Sequence, residues 1–452
     1  MENIVTEIAG EFIKEIIALI TGSGKGFTEI EETALAESKK CAARLISVYA
    51  ETVDARLAAD KSGRRAMGYT VQRRGDERRL QSLVGEVTYQ RTYYKKAAGG
   101  YEYLTDTVLG IERRERVSKG MSLALATAAK DMSYGKSSIY VSGGGISRQT
   151  VMERVRRSGV PVKETRAKLC VPELHIDADE AHITLCGGRK SIVPLISVYE
   201  GIDLQGKRHR CKNIFHISEY GKPPDELWEQ ALTEIEQRYD LTDTKVYIHG
   251  DGGAWVQTGF EWIPKAKFVL DKYHKNRAIK AMTANLPGSD VKTYEKEIRR
   301  ALNNEELLYF GELTNSIIGG MPEREDKIRG SAAYLERFCK GISICNTDPS
   351  ANNGGCTEPH VSHVLSSRLS SRPMAWSKKT LKRLAPVLAS GKLVLHTKEE
   401  PMALPKPLLK AAASASKALS RGAAGLPLPE SIGRIPVNGK ITGTQVILKT
   451  FA

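Results

Sequence analysis

The sequence predicts an α/β protein of several domains, in which a helical and β-hairpin region precedes a mixed-sheet region. Apolar residues recur at helical spacing over the first 60 residues. The segment LVGEVTYQRTYY then alternates apolar and polar residues as a strand or hairpin does, and from residue 170 onward strands alternate with helices. A chain of 452 residues is long enough for two or three domains of ordinary size.

Composition excludes several classes of protein. Hydrophobic residues make up 41% of the chain and charged residues 27%, which is typical of a folded globular protein rather than a disordered or fibrous one. The sequence contains no apolar run approaching the roughly 18 residues of a membrane span, and its acidic start differs from a secretory signal. The seven cysteines include no C-x-x-C pair, which favours reduced thiols. We therefore expect a cytoplasmic protein with no membrane partner.

Positive charge is concentrated in two segments. Lysines and arginines number 68 against 53 acidic residues, a net charge of +15. The segment Lys61–Lys96 has a net charge of +7 and Lys378–Ala452 has +10, which together exceed the charge of the whole chain. Basic segments beside a near-neutral body are typical of arms that contact nucleic-acid phosphates, and solvated surface faces are the equal alternative.

Two helices and a basic hairpin are predicted in the first 104 residues. The helices are separated by TGSGKG, which is not a phosphate-binding loop because Gly26, rather than Ser or Thr, follows Lys25. The hairpin's tyrosines either lie along a DNA backbone or form an aromatic cross-strand core. The candidate DNA-binding residues of the hairpin are Arg73, Arg74, Arg78 and Arg79, and its tyrosines are Tyr89, Tyr93 and Tyr94.

A helix–turn–helix is predicted between residues 118 and 158. SYGKSSIYV forms a short first helix, SGGGIS a glycine-containing turn, and SRQTVMERVRR a second helix capped by Ser147. Arginine and glutamine near the start of such a helix suit base edges in the major groove, although an ordinary helical hairpin has the same pattern. The candidate DNA-binding residues of this helix are Arg148, Gln149, Arg154, Arg156 and Arg157.

Three carboxylates lie at the edges of apolar elements in the second half of the chain. Asp179 lies in the strand LHIDADEAHITL, Asp251 ends the strand KVYIHGD before a glycine turn, and Glu358 begins a helix after a glycine-rich loop. Such oxygen ligands suit Mg²⁺, and two ions about 4 Å apart would serve phosphoryl transfer. Asp177 competes with Asp179 because both point to the same face of the strand, whereas Glu180 points to the other.

A zinc site is the competing interpretation of the cysteines and histidines near residue 350. Their spacings are C-x5-C, then ten residues, then C-x3-H-x2-H, which match none of the usual structural zinc patterns. Buried structural cysteines are therefore the favoured interpretation. The residues concerned are Cys339, Cys345, Cys356, His360 and His363.

The sequence resembles bacterial or archaeal insertion-sequence transposases of the ISLre type over roughly residues 65–395. The best-matching segments are RRLQSLVGEVTYQRTYY, SYGKSS…ISRQTV, IDADEAHI, YIHGDGGAWV, LDKYHKNRAI and HVSHVLSSRLSSRPMAWS, the last being the most specific. This is a DDE family with an RNase H-like catalytic domain, related in layout to the Mutator-like transposases. The resemblance implies that Asp179, Asp251 and Glu358 form the metal-binding triad.

The resemblance also implies a division of the chain and a role for one histidine. His274, in LDKYHK, falls where related enzymes carry a histidine near the site, and packing of a strand-end histidine against Tyr273 is the structural alternative. The tail is expected to hold DNA without sequence preference and to contain a last strand, TQVILKTF. The implied regions are an N-terminal helical region (1–60), a DNA-binding region (61–165), a catalytic domain in two parts (170–279 and 344–392), a helical insertion (280–343) and a basic C-terminal tail (393–452).

The implied activity is DNA transposition in the prokaryotic cytoplasm, in association with the nucleoid. The enzyme would bind the terminal repeats of its element and target DNA, cleave strands with two Mg²⁺ or Mn²⁺ ions, and join the free 3′-hydroxyl to the target. Because the reaction uses two ends, a homo-oligomer on paired ends is expected. The alternatives are a catalytically inactive DNA-binding remnant or repressor, and a structure-selective nuclease of the same fold.

Overall fold

Two units divide the chain, one built from its two ends and one from its middle. Unit 1 comprises Met1–Ser118 and Pro401–Ala452, and unit 2 comprises Lys119–Glu400. The division falls inside the predicted region 61–165, so that the basic hairpin belongs to unit 1 and the predicted helix–turn–helix to unit 2. The computed structural model describes residues 2–22, 24, 26–162, 167–205, 208–396 and 404–424, and it confirms the expected mixture of helices and strands.

Helices form much of unit 1, as the helical periodicity of the first 60 residues predicts. They are α1 (Glu2–Thr21), α2 (Phe27–Ala59), α3 (Lys61–Ala66), α4 (Leu104–Val108) and, near the other end of the chain, the C-terminal helix (Lys406–Ala424). Val53 and Leu57 of α2 are buried in one apolar cluster with Leu408 and Ala411 of the C-terminal helix. Part of the predicted basic tail is therefore a packed helix, while the predicted strand TQVILKTF lies outside the described residues.

An antiparallel sheet completes unit 1 and confirms the predicted hairpin. Its strands β1 (Tyr69–Ser82), β2 (Gly85–Lys96) and β3 (Tyr101–Glu102) lie in the order β1-β2-β3. Leu80 pairs with Val87 across the first two strands, and both side chains are buried. This pairing buries the apolar face that the alternating sequence pattern predicts.

Three helices at the start of unit 2 pack on one another. They are α5 (Lys119–Asp131), α6 (Tyr134–Ser142) and α7 (Arg148–Arg156). The predicted cap is confirmed, because Ser147 Oγ accepts a hydrogen bond from Thr150 N–H at 3.1 Å. Val151 and Val155 of α7 are fully buried, so one apolar stripe fixes the orientation of this helix. The helix pair and its turn are thus present, and its DNA-reading role stays a prediction.

A five-stranded mixed sheet forms the centre of unit 2. The order of its strands is β10-β7-β6-β12-β13, in which β6, β7 and β10 are antiparallel neighbours and β12 and β13 run parallel to β6. The strands of unit 2 are β4 (Ser158–Gly159), β5 (Leu169–Cys170), β6 (Glu173–Thr184), β7 (Lys190–Tyr199), β8 (Ile202–Gln205), β9 (Arg208–Cys211), β10 (Phe215–Ile217), β11 (Tyr239–Asp240), β12 (Lys245–Gly250), β13 (Lys267–Leu270) and β14 (Val394–Leu395).

The remaining helices of unit 2 flank this sheet or form a block after it. The helical block predicted near 280–343 is confirmed as helical, and no helix in the described part of the chain is long and apolar enough to cross a membrane. The helices are α8 (Pro224–Glu236), α9 (Ala254–Gln257), α10 (Gly259–Trp262), α11 (Lys272–Thr283), α12 (Gly288–Asn303), α13 (Leu307–Gly320), α14 (Glu325–Arg337), α15 (Cys339–Thr347), α16 (Thr357–Val361), α17 (Ser367–Leu369) and α18 (Lys378–Ser390), with 3₁₀ turns at Pro322–Arg324 and Pro349–Asn353 and a π turn at Ser362–Ser366.

Two apolar cores hold unit 2 together. On one face of the sheet, Ile176 and Ile248 contact a cluster that includes Trp228 of α8, and all three side chains are fully buried. The helical block has a second core, in which Phe310 of α13 packs with Leu335 of α14. Because α8 covers the first face, the polar residues of β6 and β12 that alternate with these apolar ones point to the other face.

Candidate functional site

Three aspartates follow one another across neighbouring parallel strands, one residue beyond the ladder that pairs β12 with β6 and β13. Gly250 at the end of β12 lies opposite both Ala178 of β6 and Leu270 of β13. Asp271 N–H also donates to Gly250 O at 3.0 Å. The sheet therefore brings two of the three predicted acids together and adds a third aspartate that the sequence analysis did not single out. In order across β6, β12 and β13, these residues are Asp179, Asp251 and Asp271.

Asp179 has the environment of a carboxyl group that needs a cation. Asp179 is buried, with only 8% of its surface exposed. Burial, and then the negative charges of Glu180 and Asp251, raise the pKa of Asp179 to about 7, although the backbone N–H of Glu180 and the nearby His274 oppose this shift. The negative charge of Asp251 is therefore close enough to raise the pKa of Asp179.

Asp251 is held by the turn that follows β12. Its Oδ1 accepts a hydrogen bond from Gly253 N–H at 2.8 Å, and its carbonyl oxygen accepts one from Tyr334 Oη at 2.8 Å. Between them, Gly252 has a φ of +79°, a left-handed conformation that L side chains rarely adopt. The glycine turn predicted from the sequence thus presents the carboxylate at the edge of the sheet.

His274 lies beside this row of acids, in the first turn of α11. Its Nδ1 lies 2.8 Å from Asp271 Oδ2, and Asp271 caps the helix by accepting hydrogen bonds from the N–H groups of Tyr273 and His274. The hydrogen bond to Asp271, and then the charges of Asp271, Asp179 and Asp251, raise the pKa of His274 against the effect of burial. The ring also contacts Tyr273 edge-on at 5.2 Å, as the alternative packing predicts, while a role of His274 at a catalytic site stays a prediction.

Glu358, the third predicted acid, lies in the first turn of α16 with an exposed side chain. This helix packs against β6, the strand that carries Asp179. In the described ranges, no three His, Cys, Asp or Glu side chains are grouped so as to hold a metal ion. The arrangement therefore offers two neighbouring carboxylates, Asp179 and Asp251, with Glu358 on an adjoining element.

The competing residues have other partners. Asp177 is 1% exposed and accepts hydrogen bonds from Tyr199 Oη and from the backbone N–H of Cys356, so Asp179 is the acid of β6 that adjoins Asp251. Cys339, in the alternative zinc set, is buried and contacts Leu302 O at 3.4 Å. Among the residues that the structure describes, no three side chains of the candidate zinc set are grouped so as to hold a metal ion.

Most of the hairpin arginines are paired within unit 1. Arg73 forms an ion pair of 2.8 Å with Asp76, Arg79 one of 2.7 Å with Glu77, and Arg78 donates to the carbonyl of Glu115. Arg74 is exposed, as are the side chains of Arg73 and Arg79. Of the tyrosines, Tyr89 and Tyr94 are fully buried, which confirms for them the cross-strand core rather than a DNA-facing position.

Of the predicted DNA-binding residues of helix α7, the two at its start are the most exposed. Arg148 and Gln149 are exposed. Arg154 is 7% exposed, Arg156 donates to Thr380 Oγ1 and Ser377 Oγ at 3.2 Å each, and Arg157 Nη2 donates to His396 O at 3.4 Å. Arg154 is buried, whereas Arg156 and Arg157 are half-buried beside these partners, and a DNA contact of the three arginines stays a prediction.

Comparison with known proteins places the chain in a family. The model of a family described as "Uncharacterised protein family (UPF0236)" matches residues 20–399. A UPF0236 protein of Caldanaerobacter subterraneus subsp. tengcongensis, whose name joins eleven locus designations from TTE0033 to TTE2212, is 34% identical over 85% of this chain and 82% of its own length. A UPF0236 protein "in vanSb 3′region" of Streptococcus gallolyticus is 25% identical over 83% of each chain. The chain therefore belongs to the uncharacterised protein family UPF0236.

Proposed function

We propose that this protein is a DDE-type DNA transposase of an insertion sequence, which cleaves and joins DNA strands with divalent metal ions. The observation that carries the proposal is the adjacency of Asp179, within β6, and Asp251, directly after β12, with the pKa of Asp179 raised to about 7. A buried carboxylate such as Asp179 beside a half-buried one such as Asp251 is destabilised in its charged form unless a cation neutralises it. Two hard oxygen ligands of this kind fit Mg²⁺ or Mn²⁺.

The order of strands supports an RNase H-like catalytic domain. Three antiparallel strands, β6, β7 and β10, lie on one side of the sheet, and two strands parallel to β6 lie on the other. This is the sheet expected of that fold, in which the first acid lies on the first strand and the second acid follows the fourth. Under this proposal Asp179 on β6 would be the first of these acids and Asp251, directly after β12, the second.

The chain's own residues would divide the chemistry as follows. Asp179, Asp251 and Glu358 would hold the ions, which when bound stabilise the attacking and leaving oxygens of phosphoryl transfer. Asp179 would give up its proton as a cation binds, and Gly253 N–H fixes the orientation of the Asp251 carboxylate. His274, oriented by Asp271, directs a raised-pKa imidazole toward the same edge, where it suits a phosphate oxygen.

The relatives support a mobile element. One relative from Caldanaerobacter has a name that joins eleven locus designations, and another joins four. A protein that is encoded at many loci of one genome is what an element that copies itself leaves behind. The proposal therefore includes the terminal repeats of the element and target DNA as partners, a homo-oligomer on paired ends, and action at the nucleoid in the cytoplasm.

One observation favours a second candidate, a catalytically inactive DNA-binding remnant or repressor. Glu358 is exposed, and the described residues contain no three-donor metal group. Such a protein would bind the same DNA and leave it uncut. The two candidates are separated by whether the wild type cuts the DNA that it binds, with an Asp251 variant as the comparison.

Asp251→Asn is expected to abolish strand cleavage while leaving DNA binding intact. Losing one carboxylate removes several kcal/mol of stabilisation from the transition state, which corresponds to a fall of at least about 100-fold in the cleavage rate. The measurement is cleavage of DNA that carries the element ends, in Mg²⁺ or Mn²⁺, beside a gel-shift assay on the same DNA. The matched control is Asp326→Asn, which alters an exposed carboxylate of α14. A wild type that shifts this DNA but never cuts it would support the remnant instead.

Arg148→Ala is expected to weaken binding to the element ends without changing thermal stability, whereas Arg156→Ala should lower thermal stability. Arg148 is exposed at the start of α7, where a base contact is worth about 1–3 kcal/mol, so the dissociation constant should rise about fivefold or more. Arg156 instead bonds Thr380 and Ser377. Equal losses of binding by both variants, with no change in melting temperature, would contradict this division of roles.

A further inference from the structure

Asp177 lies two residues before Asp179 on the same strand, yet its carboxylate is bonded almost entirely within the protein. Tyr199 Oη donates to its Oδ1 at 3.0 Å and to its Oδ2 at 3.1 Å. The backbone N–H of Cys356 donates to Oδ2 at 2.9 Å, and His360 Nδ1 lies 3.0 Å from the same oxygen. These contacts engage both oxygens of a residue that is 1% exposed, so Asp177 is poorly placed to act as a metal ligand itself.

The partners of Asp177 belong to the segment that carries Glu358. Cys356 is the N-cap of α16, and His360 lies in the same helix. Glu358 lies two residues after Cys356 and two residues before His360. Contacts with the Asp177 carboxylate therefore flank Glu358 on both sides along the chain. Gly355 N–H adds a third attachment, because it donates to Tyr199 Oη at 2.9 Å.

The same segment approaches the strand that leads to Asp251. A Cβ at Gly354 would lie 2.4 Å from His175 Nδ1 and 2.4 Å from His249 Nε2, so only glycine allows this contact. His175 Nδ1 and His249 Nε2 are 3.0 Å apart, and His249 directly precedes Gly250 at the end of β12. Buried polar groups therefore hold the loop before α16 against β6, β7 and β12.

We infer that Asp177, with Tyr199 and His360, is the positioning group that sets Glu358 relative to Asp179 and Asp251. This role rests on the proposed function, in which Glu358 is the third metal ligand. Asp177 acts through the backbone of α16 and does not contact the ion. Groups that orient metal ligands in this way typically change metal affinity by about 10–100-fold when they are replaced.

The first test is the affinity of the full-length protein for Mn²⁺, measured by calorimetry on Asp177→Asn. The amide nitrogen that replaces one carboxylate oxygen cannot accept the N–H of Cys356, and the charge opposite His360 is lost. The Mn²⁺ dissociation constant is expected to rise about tenfold or more. Tyr199→Phe, which keeps the ring and removes the hydroxyl, is expected to raise it in the same direction and serves as the second variant if Asp177→Asn fails to fold.

Tyr239→Phe is the matched control for Tyr199→Phe. Tyr239 is also buried in unit 2, and its hydroxyl donates to Glu200 Oε1 at 2.9 Å, away from the α16 segment. Its replacement removes a buried hydroxyl of the same kind, so the Mn²⁺ dissociation constant should stay within about twofold of the wild-type value. An equal loss of affinity in both phenylalanine variants would overturn the positioning role.

The second test is the epistasis between Asp177 and Glu358. Because Asp177 acts through Glu358, Asp177→Asn should weaken Mn²⁺ binding less than about twofold when Glu358→Gln is already present. A full additional loss in the double variant would show that Asp177 acts elsewhere and would overturn the inference.

The outcomes also separate this inference from the proposed function. If the wild type binds Mn²⁺ and Asp177→Asn binds it equally well, the positioning role is overturned and the proposed function stands. If the wild type binds no Mn²⁺ and cuts no DNA, the proposed function fails, and the positioning role falls with it.

Discussion

Asp179→Asn is expected to stabilise unit 2 in metal-free solution at pH 8, and to do so much less near pH 4. The pKa of Asp179 is raised from 3.8 to about 7 by burial first and then by the charges of Glu180 and Asp251. The folded state therefore holds a proton that the unfolded state releases between these two pH values. The stabilisation that this proton gives the folded state is fully present at pH values below 3.8 and is lost as the pH rises toward 7.

The size of the effect follows from the shift. A pKa difference of about 3 units corresponds to about 4 kcal/mol, which is the largest gain that the asparagine variant is expected to show at pH 8. Asparagine has nearly the same shape and does not ionise, so the pH-dependent term disappears from the variant. Other titrating groups are common to both proteins and cancel in the difference.

The measurement is urea denaturation followed by tryptophan fluorescence between pH 4 and pH 8 in the presence of a chelator. All four tryptophans of the chain lie in unit 2, so the probe reports on the unit that contains Asp179. They are Trp228, Trp255, Trp262 and Trp376. Asp326→Asn, on the surface of α14, is the control and should follow the wild-type profile.

Adding Mg²⁺ provides the complementary half of this experiment. A cation that binds the folded state stabilises it in proportion to its concentration over the dissociation constant. Wild-type protein should therefore gain stability at pH 8 with Mg²⁺, and Asp179→Asn should gain less, because it lacks one ligand. Parallel pH profiles for the two proteins, together with equal responses to Mg²⁺, would contradict the assignment of Asp179.

The strand that carries Asp179 and the strand that precedes Asp251 were predictable because they depend on local patterns. Alternation in LHIDADEAHITL and the glycines after KVYIHGD place Asp179 and Asp251 at apolar edges without knowledge of any partner strand. Asp271 also follows a strand, β13, and it precedes His274 by three residues. That pattern was visible in LDKYHK, but the interpretation of His274 as a strand-end histidine concealed it, since β13 ends at Leu270.

The partners of Asp177 and of the arginines were not predictable in this way, because they depend on contacts between distant segments. Asp177 and Cys356 are 179 residues apart, and Arg156 and Thr380 are 224 apart. Residue type and spacing made Asp177 equivalent to Asp179 and made Arg156 equivalent to Arg148. Only the tertiary packing of α16 on β6 and of α18 on α7 distinguishes them.

Gly252→Ala is expected to destabilise unit 2 by about 2–4 kcal/mol and to weaken metal binding at Asp251. Two penalties combine at this position. The φ of +79° is unfavourable for alanine, and a Cβ would lie 2.3 Å from Cζ of Phe338. That ring cannot move freely, because Phe268 and Tyr334 pack on it with ring centroids 5.3 Å away.

Gly188→Ala separates the two penalties. Gly188 has a φ of +82° in the turn between β6 and β7, and a Cβ there would meet no atom within 4 Å. Its replacement should therefore cost only the backbone term, about 1 kcal/mol. The difference between the two alanine variants in urea denaturation gives the cost of the contact with Phe338.

Phe338→Leu in the Gly252→Ala background tests the contact directly. A smaller side chain removes the overlap while leaving the backbone strain, so the double variant should recover stability relative to the sum of the single changes. Mn²⁺ affinity should recover in parallel, since the displaced ring is what moves the backbone next to Asp251. Strict additivity of the two substitutions would show that Gly252 is required for its φ alone, and that the ring of Phe338 has no part in shaping the turn.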